Sequence, residues 1–218
     1  LKNLRPNIKA RFFYKENCPT IVKKRYIHEY LNQKLFEVCY LNDDLINKEC
    51  ESQVIDYLIS EIPKYDLVMV SDFGHGFITR DIIKTLVSYS KILSVNTQTN
   101  AANVGYNFIT KYQGPDFVCV DETELRLSSQ EKHAPIEDIA KGIAKNINAD
   151  SLIVTLGKKG SFGIKHDNTN RTPIFSHNVV DTVGAGDAFF AFTAPCYAIG
   201  MPLDLLSFIG NAVGALAV

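Results

Sequence analysis

The sequence predicts an α/β domain built around a mostly parallel sheet. Short apolar runs alternate along the chain with segments whose apolar residues repeat every three or four positions. This alternation is typical of strands that are covered on both faces by the helices that connect them. The composition agrees, because 46% of the 218 residues are hydrophobic and 22% are charged, which is ordinary for a globular protein.

Charge and cysteine usage exclude several classes of protein. With 23 Lys and Arg against 24 Asp and Glu, the formal net charge is -1, which argues against nucleic-acid binding driven by bulk charge. The apolar run Ala188–Ile199 is shorter than the ~20 residues of a membrane span, and Pro195 interrupts it. The 5 cysteines form no C-x-x-C pair, so we expect buried thiols of a reducing compartment. We therefore expect a cytoplasmic protein with no nucleic-acid or membrane partner.

The first part of the chain differs from the rest. Residues 1–42 are rich in β-forming residues, and Ile21–Tyr30 and Lys34–Leu41 flank a short turn. This pattern predicts a hairpin. Because a hairpin does not fit the strand–helix repeat, we divide the chain into a β-rich flap over residues 1–42 and an α/β core over residues 43–218.

The core follows in order. Asn47 is a candidate cap of a helix that Pro63 ends, Thr79 caps a second helix, and Pro135 lies in the first turn of another. The four predicted core strands are continuous apolar runs: Asp66–Ser71, Lys91–Val95, Asp116–Val120 and Ser151–Thr155.

Ligands of open parallel sheets bind at the carboxyl ends of the strands. The residues that directly follow the predicted strands are Asp72, Asn96, Asp121 and the turn 156–160. Asp72 is a candidate ligand of a substrate hydroxyl, or alternatively a residue that shapes the turn. We expect the nearby His75 to be solvated. Lys111 is a candidate phosphate ligand that the sequence alone does not decide.

The most specific motif lies late in the chain, between Val180 and Phe190. Gly184 and Gly186 permit a tight turn, and the apolar run that follows predicts a helix whose first N–H groups would bind phosphate oxygens. Asp187 would lie in the first turn of that helix, where it could take a proton from an attacking hydroxyl. The alternative is a glycine-rich turn in which Asp187 only caps the helix.

Two further motifs follow strands. The turn from Thr155 to Gly160 is a candidate nucleotide wall or an ordinary hairpin turn. Asp121 and Glu124 follow the third core strand, where their carboxylates could hold Mg²⁺ through water. The alternative is an acidic first turn that complements the helix dipole.

Taken in order, these motifs resemble the ribokinase family, also called the phosphofructokinase-B family, of ATP-dependent sugar kinases. Asp181–Phe189 is similar to the family's second signature, and Thr155–Gly160 to its nucleotide turn. Val70–Gly76 and the paired segments near Thr20–Arg25 resemble the heptose phosphate kinases of that family, which form the kinase half of ADP-heptose synthases.

The resemblance implies a ribokinase-like three-layer sandwich with a small β flap, and it implies ATP and Mg²⁺ as cofactors. By the same resemblance, Asp187 would be the catalytic base and Asp72 would bind substrate. The remaining implied roles are an anion hole (Gly184, Ala185, Gly186), a nucleotide site (Thr155, Gly157, Gly160, Asn211) and a metal site (Glu124, Asp121).

The chain departs from the family pattern at three places. The magnesium motif Asn-x-x-Glu appears as Asp121-x-x-Glu124, the heptose kinases' Asp-Pro-Lys appears as Asn96–Gln98, and Pro195 lies inside the helix after the anion hole, where it should kink or shorten that helix. Family members also carry segments before and after those present here. We therefore expect a kinase domain that is incomplete at both ends.

The resemblance implies a sugar or sugar phosphate as the acceptor and fusion to a nucleotidyltransferase. If the hairpin is a flap, pairing of flaps between subunits would form a homodimer. Two alternatives remain open at this point. One is a nucleoside or hydroxymethylpyrimidine kinase on the same fold. The other is a non-catalytic module that binds a nucleotide or sugar and regulates an attached domain.

Overall fold

In the computed structural model, residues 4–30, 33–175 and 184–217 are described. The flap is an antiparallel hairpin of β1 (Val22–His28) and β2 (Gln33–Tyr40), which form a two-stranded sheet of their own. The rings of Tyr26 and Phe36 stack across the hairpin with centroids 4.3 Å apart. The predicted hairpin is thereby confirmed, while the division of the chain at residues 42 and 43 stays a prediction.

The second sheet has six strands in the order in which they occur along the chain. The first four strands pair in parallel, and the last two pairings, β6 with β7 and β7 with β8, are antiparallel, so the predicted mostly parallel sheet is confirmed. The strands are β3 (Val68–Asp72), β4 (Leu93–Thr97), β5 (Phe117–Asp121), β6 (Ser151–Thr155), β7 (Ser161–Lys165) and β8 (Asn168–Thr172).

The helices begin where the sequence places capping residues. The Asn47 side chain accepts a hydrogen bond from the N–H of Cys50, and the Thr79 side chain accepts one from Ile82. The six α-helices of the described chain are α1 (Lys48–Glu61), α2 (Arg80–Tyr89), α3 (Glu122–Ser129), α4 (Ile136–Asn146), α5 (Ala185–Ala198) and α6 (Leu203–Leu216).

Two apolar cores lie on opposite faces of the six-stranded sheet. Helices α1 to α4 contribute to one core, and α5 and α6 to the other. Alternate residues of β5 enter opposite cores: Val118 belongs to the first, whereas Phe117 and Cys119 belong to the second. The result is the helix–sheet–helix sandwich that apolar strands predict.

Several predicted boundaries are off by one or two residues, and two of the differences bear on the site. Strand β4 starts two residues later than predicted and ends at Thr97 instead of Val95. Helix α5 continues past Pro195 to Ala198, and the N–H of Ile199 donates to the carbonyl of Pro195. Proline therefore does not end the helix where it occurs, because its missing N–H costs only one backbone bond near the C-terminal end.

Candidate active site

Two clefts lie at the carboxyl ends of the parallel strands and meet at the start of α5. The first has a volume of about 530 Å³ and lies between the ends of β5 and β6, the start of α5, and α6. The second, of about 710 Å³, lies between the flap and the loop after β3. Ala185 and Gly186 line the first cleft, and Gly184 and Asp187 line the second.

The turn that begins α5 is open. Gly184 has a φ of +89°, a backbone conformation that favours glycine. A Cβ atom built on Gly184 or Gly186 would meet nothing within 4 Å. Because the first N–H groups of a helix have no acceptor within it, the amides of this turn can bind an anion, which the helix dipole also favours.

Asp187 lies in the first turn of α5, as predicted, and its side chain is exposed to the second cleft. Its Oδ1 accepts a hydrogen bond from Nε2 of Gln98. In the described chain, Asp187 takes part in no ion pair, so its carboxylate is accessible to a ligand. Its role as a base stays a prediction.

The predicted nucleotide residues surround the first cleft. Thr155, Gly157, Gly160 and Asn211 all line it. The amide of Asn211 donates to Oγ of Ser161 and to the carbonyl of Ser207, both at 2.7 Å, which fixes α6 against β7. The geometry brings these residues together, and contact with a nucleotide stays a prediction.

The proposed magnesium residues form a capping box at the start of α3. The side chain of Asp121 accepts from the N–H of Glu124 at 2.7 Å, and Oε2 of Glu124 accepts from the N–H of Asp121 at 2.8 Å. Oε1 of Glu124 accepts from the N–H of Thr99 at 2.9 Å. These contacts match the alternative interpretation of an acidic first turn.

Burial raises the pKa of Glu124 to about 7. The carboxylates of Asp121 and Asp187 act in the same direction, whereas the two backbone N–H bonds oppose them. Asp121, in contrast, is exposed and lines the first cleft. Within the described ranges no group of three or more His, Cys, Asp and Glu side chains is arranged to hold a metal. Asp121 therefore fits Mg²⁺ that is carried by phosphates and water, and Glu124 fits it less well, because both of its oxygens already accept N–H groups.

Asp72 ends β3 and is buried, with 3% of its surface exposed. Its Oδ1 accepts from the N–H of Gly74 at 2.9 Å, an arrangement that shapes the turn. Its Oδ2 pairs with Nζ of Lys111 at 2.6 Å and accepts from the hydroxyl of Tyr112 at 2.7 Å. Burial and the Asp72 carboxylate raise the pKa of Tyr112 well above its ordinary value. Asp72 lines the second cleft, but these contacts favour the alternative in which it shapes the turn.

His75 is not solvated as expected. Its side chain is 6% exposed, and Nδ1 lies 2.7 Å from Oδ1 of Asp43. This contact joins the segment after the flap to the loop after β3. A buried, paired histidine beside a cleft could not be predicted, because Asp43 is 32 residues away in the sequence.

Among the residues of the second cleft that were not predicted as site residues, three have long charged or amide side chains: Lys23, Arg25 and Gln98. Lys23 and Arg25 alternate along β1, and that spacing places them on the same face of the hairpin. Gln98 directly follows the last residue of β4. The carboxyl-edge rule would have found Gln98 if the end of β4 had been placed correctly.

No helix in residues 4–30, 33–175 and 184–217 has both the length and the apolar character that crossing a membrane requires.

Residues 109–218 match the family model described as pfkB family carbohydrate kinase, and this range is half of the chain. The bifunctional protein HldE of Wolinella succinogenes is 27% identical over 203 residues, covering 92% of this chain and 42% of that protein. The chain thus spans less than half the length of this curated relative.

Solved structures show the same fold at low identity. The tetrameric inhibited form of phosphofructokinase-2 from Escherichia coli superposes with a TM-score of 0.69 at 16% identity, covering 84% of this chain and 61% of that one. Ribokinase of Arabidopsis thaliana, complexed with ribose and ATP, gives 0.64 at 18% identity, covering 93% and 64%. These similarities confirm the predicted ribokinase-like α/β fold.

Proposed function

Because the chain belongs to the pfkB family of carbohydrate kinases, we propose that it transfers the γ-phosphate of ATP to a hydroxyl of a sugar or sugar phosphate. The observation that carries this proposal is the meeting of two clefts at the start of α5. ATP would occupy the cleft lined by Gly157 and Gly160, and the acceptor would occupy the cleft lined by Asp187.

The reaction needs little covalent chemistry from the protein. Asp187 would take the proton of the acceptor hydroxyl, and the hydroxyl oxygen would form a bond to the γ-phosphorus of ATP. The bond between the γ-phosphorus and the bridging oxygen of the β-phosphate would break at the same time, leaving ADP. The amides of Gly184, Ala185 and Gly186 would stabilise the charge on the transferred group. Mg²⁺ supplies charge neutralisation on the phosphates when bound, and Asp121 would contact it through water.

Two cationic side chains of the acceptor cleft favour a phosphorylated sugar. Lys23 and Arg25 line this cleft on the flap, and Nε of Arg25 also pairs with Glu37 at 2.8 Å. Cationic side chains bind phosphate more strongly than neutral hydroxyls. We therefore propose an acceptor of the heptose phosphate type. Because the relative HldE is bifunctional, we also propose that the complete protein is fused to a nucleotidyltransferase.

The flap also presents exposed apolar side chains, among them Ile27 and Leu35 at 55% and 61% exposure. We propose that two flaps pair in a homodimer, because exposed apolar patches of this kind mark contact surfaces. Sedimentation velocity across a hundredfold concentration range measures this, and a monomer at every concentration would contradict it.

The direct test of the function is the substitution Asp187→Asn in the full-length protein. Transfer of phosphate to a panel of sugars, sugar phosphates and nucleosides should fall by at least about 10³-fold, since both base and charge are lost. ATP affinity and unfolding temperature should change little, because Asp187 is exposed.

The matched control is Asp204→Asn, which makes the same change in the first turn of the next helix, α6, at an exposed position. It should leave turnover unchanged. Near-wild-type turnover of Asp187→Asn would refute its role as the base. Saturable ATP binding with no product from any acceptor would instead support the non-catalytic module.

A further inference from the structure

We infer that Gln98 is a positioning residue for phosphoryl transfer, which holds Oδ1 of Asp187 so that Oδ2 faces the acceptor hydroxyl. This inference rests on the proposed function. Gln98 lines the acceptor cleft, and its Nε2 donates a hydrogen bond to Oδ1 of Asp187. The contact joins residues that are 89 positions apart in the sequence.

The backbone of Gln98 is fixed on both sides. Its N–H donates to the carbonyl of Asp72 at 2.8 Å. Its carbonyl accepts from the side-chain amides of Asn103 at 3.2 Å and Asn107 at 3.0 Å. The next N–H, that of Thr99, donates to Glu124. The side chain of Gln98 therefore extends from an immobile point.

The two asparagines that hold this carbonyl are themselves buried, with 3% and 4% of their surfaces exposed. Gly74, with a φ of +68°, packs directly on them. A Cβ atom there would lie 2.4 Å from Nδ2 of Asn103 and 2.6 Å from Cγ of Asn107. Such close packing leaves the loop after β4 no room to shift, which is what a positioning element requires.

Asp187, by contrast, is exposed and forms no ion pair within the described ranges, so little else restrains its carboxylate. A carboxylate that is free to rotate would spend only part of its time aimed at the acceptor. Since a misplacement of ~1 Å can cost ~10²-fold in rate, one directional hydrogen bond to Oδ1 has a large effect on kcat. A substitution of Gln98 should therefore lower kcat and leave the KM for ATP unchanged.

Three variants of the full-length protein separate the hydrogen bond from packing. Gln98→Met keeps the length without a donor and should lower kcat by about 10- to 100-fold. Gln98→Glu keeps the shape but places a like charge against Asp187, and should be at least as slow. Gln98→Lys keeps a donor of similar reach and should recover most of the kcat lost in Gln98→Met.

A purely structural role predicts a different order, in which the neutral Gln98→Met is tolerated and Gln98→Lys is not. In the background of Asp187→Asn, Gln98→Met should cost nothing further, because its effect acts through Asp187. Gln113 provides the matched control. It is an exposed glutamine that also makes one side-chain hydrogen bond, to the carbonyl of Thr110 at 2.9 Å, and Gln113→Met should be silent.

Crystal structures of the wild type and Gln98→Met give a readout that needs no turnover. The Asp187 carboxylate should have one conformer in the wild type and several, or a displaced one, in the variant. An unchanged conformer, or a kcat of Gln98→Met equal to that of the wild type, overturns the inference. A wild type that phosphorylates no acceptor refutes the proposed function instead, and the two crystal structures still decide the positioning.

Discussion

Asp187 and Gln98 are joined by a hydrogen bond although 89 positions separate them in the sequence. Asp187 lies in the first turn of a helix, as the glycines before it and the apolar run after it predict. Gln98 was missed because the apolar run of β4 ends at Val95, whereas the strand continues through Asn96 and Thr97, which are buried. A rule based on hydrophobicity places the end of a covered strand too early when its last residues are polar.

Glu124 should make the free energy of unfolding depend on pH. Its pKa is raised from 4.5 to about 7 in the folded state, so between these values the folded protein holds a proton that the unfolded chain has released. The contribution of Glu124 to the free energy of unfolding is therefore present below about pH 4.5 and is lost as the pH rises toward 7.

Glu124→Gln removes this titration and one acceptor for a backbone N–H, which costs about 1–2 kcal/mol. We expect the stability deficit of the variant to be largest near pH 5 and to shrink toward pH 7.5, measured by urea unfolding in EDTA. Glu131→Gln, at an exposed position, is the control and should show no such trend. Parallel stability curves for Glu124→Gln and the wild type would contradict the raised pKa.

The turn between β6 and β7 contains two glycines with a positive φ, and only one of them also lacks space for a side chain. Gly160 has a φ of +84°, and a Cβ there would lie 1.9 Å from the carbonyl oxygen of Thr172. Gly157 has a φ of +56° with nothing within 4 Å of its Cβ position. The two glycines thus differ in the space around them although both have a positive φ.

Gly160→Ala should lower the free energy of unfolding by about 2–5 kcal/mol, because backbone strain and a backbone clash add together. Gly157→Ala, the matched control, should lower it by only about 1–2 kcal/mol. Chemical denaturation of both variants measures the difference. Equal losses would show that β8 moves away freely and that the turn is not held by Thr172.

Helices and strands could be predicted to within about two residues wherever a local signal marks their ends. Asn47 and Thr79 cap helices through their own side chains, and β6 ends at the predicted residue, Thr155. The end of helix α5 was harder to predict, because Pro195 suggests an earlier end, whereas the proline removes only one backbone hydrogen bond near the C-terminal end.

At the scale of the whole molecule, the site depends on contacts between distant segments that no local pattern contains. The second cleft joins the flap, the loop after β3 and the start of α5. The sequence predicted the flap as an appended hairpin but not that its cationic face would lie opposite Asp187. The position of the hairpin depends on contacts that hold it over the core. One of them joins His75 to Asp43, which lies just after the hairpin.

Under the proposed function, the two faces of the flap should contribute differently to substrate binding. Lys23 and Arg25 line the cleft, whereas Lys24 between them lies on the other face of β1, above the ring of Tyr26. Replacing both Lys23 and Arg25 by Ala should raise the KM for a sugar phosphate by about 10- to 100-fold, since each charged contact to phosphate contributes about 1.5–3 kcal/mol, discounted for exposure. The KM for ATP, which we propose to bind in the first cleft, should stay the same.

Lys24→Ala removes an equal charge from the same strand and should change neither KM. A rise in KM for the double variant that is equally large with an unphosphorylated sugar would mean that the flap shapes the cleft without reading phosphate. If Lys24→Ala also raised the KM for the sugar phosphate, net charge would be attracting the substrate. Higher salt would then remove the differences in KM between all variants and the wild type. Only a loss confined to the cleft-facing pair and to phosphorylated acceptors agrees with direct recognition by the flap.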